Sequence, residues 1–121
     1  MNSTLATRIA AIFGFLAVAL GAFGAHALKA VLDANGKADA WHTGALYHLV
    51  HAAVLFALAQ RAAAARVPFT LFAAGIILFS GSLYALAYTN VKFFAFITPF
   101  GGLCLLAGWL ALVIRPDSKE S

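Results

Sequence analysis

Four long apolar segments, separated by short polar connections, dominate the pattern of hydrophobic and polar positions in the chain. They cover about residues 9–28, 41–61, 68–89 and 93–114, and each is close to the roughly 20 residues with which an α-helix crosses a bilayer. Asn35-Gly36 stands between the first two segments and Val67-Pro68 at the start of the third, and both pairs are typical of helix ends and turns. The pattern predicts an all-α integral membrane protein, a four-helix bundle that forms a single membrane domain over residues 1–121.

Pro99 interrupts the fourth apolar segment. Proline lacks a backbone N–H group and disfavours helical geometry in the residue before it. The pattern therefore leaves two alternatives for this segment. Either it is a full helix from Phe93 onwards, or a regular helix starts only at Pro99 after an extended or kinked lead-in from Phe93 to Thr98.

Small residues recur at helical spacing in two of the segments. The first and the fourth segment each carry such a stripe: Gly14, Ala17, Gly21 and Gly24, and then Gly101, Gly102 and Gly108. Because lipid removes the hydrophobic effect between spans, helix contacts form where small residues let two backbones approach closely. The stripes predict close packing within one bundle, between copies in a homo-oligomer, or against a partner helix.

Composition agrees with a membrane environment. Of the 121 residues, 64% are hydrophobic and only 10% are charged, whereas a soluble domain is about 45–50% apolar and about 25% charged. So few charges cannot cover a water-facing surface, and the lipid bilayer is the expected partner of the helices. The formal net charge is +4, but no basic run or basic stripe with interleaved aromatic residues is present, which argues against nucleic acid as a partner.

The lysines and arginines predict the orientation. With four spans, one side of the membrane receives five of these eight residues and the other side receives three: Arg8, Arg61, Arg66, Arg115 and Lys119, against Lys29, Lys37 and Lys92. The side richer in these residues usually faces the cytoplasm. Both termini are therefore expected on the cytoplasmic side of the cell (inner) membrane, in a multi-pass protein.

Three of the four histidines lie within residues 40–51, where a polar connection leads into the second segment. His48 and His51 are three residues apart and share a helix face, about one to two turns below the expected extracytoplasmic surface. Because successive spans alternate in direction, the other polar residues of the spans are expected in the same outer half. The candidate site residues are His26, Trp41, Tyr47, His48, His51, Ser80, Ser82, Tyr84 and Thr98.

An ionisable residue inside a span is energetically costly and marks a functional site by default. The alternative is structural: a neutral histidine bonds to a serine, a tyrosine or a carbonyl group of another helix and so specifies packing. His26, His48 and His51 are candidate ligands of a metal or a haem. No carboxylate lies in the spans and the spacing matches no known signature, so no cofactor is firmly predicted.

Ser80 and Ser82, together with the histidines, suggest a nucleophile and its base. They lack an acidic residue that would orient the base, and Gly81 stands between the two serines rather than in a Gly-x-Ser-x-Gly turn. We therefore predict no catalytic residue and favour a protein that is not an enzyme.

In four separated motifs the sequence resembles the domain-of-unknown-function family 423, the YgdD-like small inner-membrane proteins. These motifs are Gly21-Ala22-Phe23-Gly24-Ala25-His26; Trp41-His42-Thr43-Gly44 with Tyr47-His48 and His51-Ala52; Phe79-Ser80-Gly81-Ser82-Leu83-Tyr84; and Thr98-Pro99-Phe100-Gly101-Gly102 with Gly108-Trp109. The resemblance covers nearly the whole chain. It implies a small membrane protein with four spans, and it brings no activity.

Three hypotheses of function remain. In the first, the protein is a binding or scaffold bundle whose outer half forms a polar pocket for a lipid, a small amphiphile or a partner helix. In the second, the histidines make it a metal- or haem-binding redox component of the membrane. In the third, it is a subunit of a transporter or channel, although the absence of carboxylates in the spans and the small size of the chain argue against this.

Overall fold

The computed structural model describes residues 1–114. These residues form the helices α1 (Ser3–Ala25), α2 (Lys29–Asn35), α3 (Ala38–Ala59), α4 (Arg66–Gly75), α5 (Gly81–Thr89) and α6 (Phe94–Ile114). A π-helical turn, Ile76–Ser80, joins α4 to α5 in one continuous span.

Four helices of the described region are long and apolar enough to cross a membrane, namely α1, α3, the joined Arg66–Thr89 helix and α6. Residues 1–114 contain no strand. Both observations confirm the predicted all-α membrane fold with four spans. The cytoplasmic location of both termini stays a prediction, and Arg115 and Lys119, which contribute to it, lie outside the described residues.

Two helix ends adopt the left-handed conformation that releases a chain from a helix. Gly36 has a φ of 66° after α2, and Asn90 has a φ of 58° after α5. The predicted helix end at Asn35-Gly36 is thereby confirmed. The Asn35 side chain also donates hydrogen bonds of 2.9 Å and 3.0 Å to the carbonyl oxygens of Ala87 and Tyr88, so that α2 caps the end of the third span.

Pro99 lies inside α6, which begins at Phe94. The preceding chain is already wound into helical turns, because the N–H groups of Phe94, Ala95 and Phe96 each donate to the carbonyl three residues earlier. Pro99 therefore falls in the second turn of the helix and removes only one backbone hydrogen bond. The alternative in which a regular helix starts only at Pro99, after an extended or kinked lead-in from Phe93 to Thr98, is wrong.

The fourth span packs against the third through its glycines. A methyl group at Gly101 would overlap the backbone of Phe79, and one at Gly108 would stand 2.7 Å from the Phe72 ring. Gly102 only approaches the Phe79 ring, at 3.8 Å. The predicted close contact along α6 is confirmed at the two outer glycines.

The first span is peripheral. Among the described helices, the α1 backbone comes close only to α3 and α2. Ala17 and Gly24 are buried there, whereas an added methyl group at Gly14 or Gly21 would meet no atom within 4 Å. Only part of the predicted small-residue stripe thus serves packing within this bundle.

Candidate functional site

His48 is buried near the middle of the bundle. It lies ten residues into α3, about 15 Å from the start of that helix, and only 4% of its surface is exposed. Its Nδ1 atom lies 2.8 Å from Oη of Tyr84 on α5. The ring of Phe13 on α1 meets the imidazole edge-on, with 6.3 Å between ring centroids.

Nε2 of His48 is the one buried side-chain nitrogen or oxygen within residues 1–114 that has no hydrogen-bond partner. The Phe13 main chain interacts with this ring, but the contact does not give Nε2 a partner with hydrogen-bond geometry. A buried polar atom left unpaired costs about 1–3 kcal/mol. This atom is therefore the exception in a bundle whose other buried polar side-chain atoms are bonded.

Trp41 connects the His48 site to α1. Its indole N–H donates a 2.9 Å hydrogen bond to the carbonyl oxygen of Leu20, and its ring covers Gly24 so closely that a methyl group there would overlap it. The indole also meets the Tyr84 ring, at a centroid distance of 4.6 Å. Trp41, predicted as a site residue, is thus the central link between α1, α3 and α5.

His51 belongs to a different environment. Its Nδ1 atom lies 2.8 Å from the carbonyl oxygen of Tyr47, one turn earlier in α3. Its Nε2 atom accepts a 3.0 Å hydrogen bond from the indole N–H of Trp109 on α6. The Phe72 ring packs beside both rings, at centroid distances of 5.4 Å from His51 and 5.1 Å from Trp109. Both nitrogens of His51 are engaged, so this histidine links two spans.

Ser80, Ser82 and Thr98 form interhelical hydrogen bonds apart from the histidine rings. Ser80 donates a 2.7 Å hydrogen bond to the carbonyl oxygen of Gly44 on α3. Ser82 lies 2.9 Å from the Phe79 carbonyl oxygen and 2.6 Å from the Thr98 hydroxyl on α6. These contacts are of the kind that specifies how membrane helices pack.

His26 and Tyr47 take no part in the His48 site. His26 is exposed and closes the C-terminal end of α1, where its backbone N–H donates to Ala22 and Phe23. Tyr47 is 43% exposed and stacks on His51 at a centroid distance of 6.1 Å. Residues 1–114 hold no group of three or more His, Cys, Asp or Glu side chains arranged to bind a metal ion.

The predicted site residues therefore fall into separate groups rather than one pocket. His48, Tyr84 and Trp41 form the first group, and the hydroxyls of Ser82 and Thr98 lie between α5 and α6. His51 stands thirteen residues into α3, about 20 Å from its start, beyond the middle of the helix. The sequence predicts that His26, His48 and His51 lie together in the outer half of the bundle. In the structure they do not form one group.

Trp109 is the site residue that the sequence interpretation missed. The sequence places Trp109 in the motif Gly108-Trp109 and near the opposite membrane interface, with no partner named. Trp109 follows the start of α6 by fifteen residues and His51 follows the start of α3 by thirteen. Since both helices run in the same direction across the bundle, this count alone puts the two rings at a similar depth.

An open groove of about 520 Å³ lies at the other end of the third span from Tyr84. Arg66, Val67, Thr70 and Leu71 line it, and the Thr70 hydroxyl is engaged with the Arg66 carbonyl oxygen at 2.9 Å. The groove has no residue in common with the histidine groups.

Comparison with known proteins gives one consistent result. A family model described as a protein of unknown function, DUF423, matches residues 20–102. The chain is 43% identical over 118 residues to a UPF0382 membrane protein of Haemophilus influenzae, which covers 93% of this chain and 94% of that protein. It is 40% identical over 112 residues to the UPF0382 membrane protein YwdK of Bacillus subtilis, covering 88% and 90% of the two chains.

The UPF0382 inner membrane protein YgdD of Escherichia coli K12 is 40% identical over 121 residues, covering 94% of this chain and 90% of that protein. No solved structure matches the chain.

Proposed function

The chain belongs to the DUF423 family of proteins of unknown function, and we propose that it acts as a membrane-embedded binding bundle that holds a lipophilic small molecule at His48. It is a multi-pass inner-membrane protein whose spans contact the lipid bilayer. The proposed binding role depends on the group formed by His48, Tyr84 and Trp41.

The single observation that supports this proposal is the unpartnered Nε2 atom of His48. Elsewhere in the described helices, buried polar side chains such as Ser80 and His51 bond to another helix or to their own backbone, as expected of groups that specify packing. An unpaired atom at the centre of a bundle is destabilising. A molecule that paired with Nε2 would recover this free energy, and that gain gives the bundle an affinity for an occupant.

A metal or haem role has weaker support from the same geometry. A ligating histidine needs a free nitrogen lone pair. His51 uses Nδ1 for the Tyr47 carbonyl and Nε2 for Trp109, so metal binding there would first break a link between spans. The His48 group offers one imidazole and one phenol, which do not match the donor sets of common sites.

Native mass spectrometry of the purified full-length protein tests the proposal. The wild type is expected to retain a small molecule under gentle activation, and His48→Leu is expected to lose it. His26→Gln serves as the matched control, because His26 is exposed and outside the group. If the wild type and His48→Leu carry the same bound molecules in the same ratio, the binding function is overturned.

A further inference from the structure

The hydrogen-bonding state of His48 follows from its neighbour. The Tyr84 hydroxyl has one proton, and in the described residues Nδ1 of His48 is its only hydrogen-bond partner. The arrangement that leaves fewest groups unpaired has Tyr84 donating to Nδ1. A neutral imidazole then carries its proton on Nε2, and the unpartnered atom is a donor that requires an acceptor.

The depth of His48 restricts the acceptor. At about 15 Å from the start of α3, the ring lies near the middle of a span of 22 residues. A charged group at that depth costs roughly 2.5–3.5 kcal/mol or more, which disfavours a phosphate or carboxylate oxygen. A carbonyl oxygen on a lipophilic molecule can accept the hydrogen bond from Nε2–H and carries no charge.

The helix beside the His48 ring, α1, packs extensively on α3 but has few other neighbours among the described helices. Phe13 on α1 meets the His48 ring edge-on, and within residues 1–114 the α1 backbone approaches only α3 and α2. Two side-chain hydrogen bonds tie α1 to α3 and its C-terminal end, Trp41 to the Leu20 carbonyl at 2.9 Å and Gln60 to the Thr7 hydroxyl at 3.5 Å, and neither involves Phe13. A displacement of α1 at Phe13 exposes His48 to the acyl chains without disturbing the contacts of α6 with the third span.

We propose that the seam between α1 and α3 admits a lipophilic molecule with a flat ring carbonyl, of the quinone type, whose oxygen accepts a hydrogen bond from Nε2–H of His48. This inference rests on the binding function proposed above and names the ligand class of the same site. The rings of Phe13 and Tyr84 stand next to His48, and aromatic rings of this kind pack favourably on a flat ring.

Equilibrium binding of an alkyl benzoquinone to the full-length protein in detergent micelles tests the ligand class. An alkylbenzene with the same tail but no carbonyl group is the control probe. Saturable binding of the quinone is expected, with an affinity at least about tenfold above that of the alkylbenzene, the equivalent of roughly 1.4 kcal/mol. His48→Leu should remove this difference, and His48→Gln, which keeps an N–H donor, should restore part of it.

Equal binding of the two probes to the wild type, or no saturable binding of the quinone, overturns the ligand class. The proposed function is judged separately, since a molecule lost from His48→Leu in mass spectrometry supports it even when the quinone fails. If His48→Leu does not fold, Phe13→Ala replaces it. This variant uncovers the ring and should speed quinone association several-fold, and an unchanged association rate overturns the route between α1 and α3.

Discussion

The indole N–H of Trp109 donates a 3.0 Å hydrogen bond to Nε2 of His51, and this contact fixes the tautomer of the histidine. Indole nitrogen is only a donor, so Nε2 must present its lone pair. The ring proton then sits on Nδ1, where the Tyr47 carbonyl oxygen accepts it at 2.8 Å. His51 is therefore neutral and fully bonded, and it links α3 to α6 rather than offering a ligand position.

Trp109→Phe should destabilise the bundle by about 1–3 kcal/mol, because it keeps a ring beside Phe72 but leaves a buried acceptor unpaired. Equilibrium unfolding in mixed detergent micelles measures the change. Phe96→Leu is the control, since Phe96 is a lipid-facing aromatic residue on the same helix with 72% of its surface exposed. The double variant Trp109→Phe with His51→Phe should recover part of the loss, and an unchanged stability of Trp109→Phe would contradict the role given to this bond.

Gly108→Ala should destabilise the bundle by roughly 1–3 kcal/mol, the range for an extra group forced into a close-packed contact. The new methyl group would stand 2.7 Å from the Phe72 ring, which is itself fully buried. Gly21→Ala is the matched control on α1, where open space surrounds the position. There the better helix propensity of alanine should leave stability unchanged or raise it by up to about 1 kcal/mol. Equal effects of the two substitutions would show that α6 does not pack as described.

Asn35→Asp should weaken the bundle more than Asn35→Ala does. The Asn35 amide donates to two carbonyl oxygens at the end of the third span, and a carboxylate would place negative charge against them. Alanine loses the hydrogen bonds without this repulsion. The free energies of unfolding of the two variants test the order, with Asp33→Asn as a control for charge on the exposed side of α2. Protonation of the introduced carboxyl restores a donor, so the defect of Asn35→Asp should diminish as the pH falls towards about 4.

Ser80→Thr should be more damaging than Ser80→Ala, although threonine keeps the hydroxyl group. Ser80 is 1% exposed and sits where the third span crosses α3 at Gly44. Loss of a hydrogen bond between membrane helices costs on average about 0.6 kcal/mol, whereas an extra methyl group in a tight contact costs about 1–3 kcal/mol. Thermal unfolding of both variants decides between packing and hydrogen bonding, and a threonine variant as stable as wild type would refute the dominance of packing.

The features that the sequence predicts well are those that depend on one helix alone. Asn35-Gly36 ends a helix because glycine accepts the left-handed conformation at little cost, and the structure places Gly36 there with a φ of 66°. The glycines of α6 are small whatever helix faces them, so their close contact was predictable. Span lengths follow from apolar runs in the same way.

The features that it predicts poorly depend on which helices become neighbours. His48 and His51 share a face of α3, yet one meets Tyr84 and the other meets Trp109, and the choice is set by how the spans are arranged around them. The π-helical turn at Ile76–Ser80 left no signal in the apolar pattern, because it contains no glycine or proline and its only polar residue, Ser80, is its last. His26 is exposed since α1 ends there and the chain turns into α2.

The position of Trp109 in the chain has a consequence for biosynthesis. Synthesis proceeds from the N-terminus, and Trp109 lies only five residues before the end of α6. Its bond to His51 is thus among the last tertiary contacts to form after α3 has been inserted. Until the final span is inserted, Nε2 of His51 has no hydrogen-bond donor from another helix. A chain that terminates before Trp109 would keep this buried acceptor unpaired, unlike the finished protein.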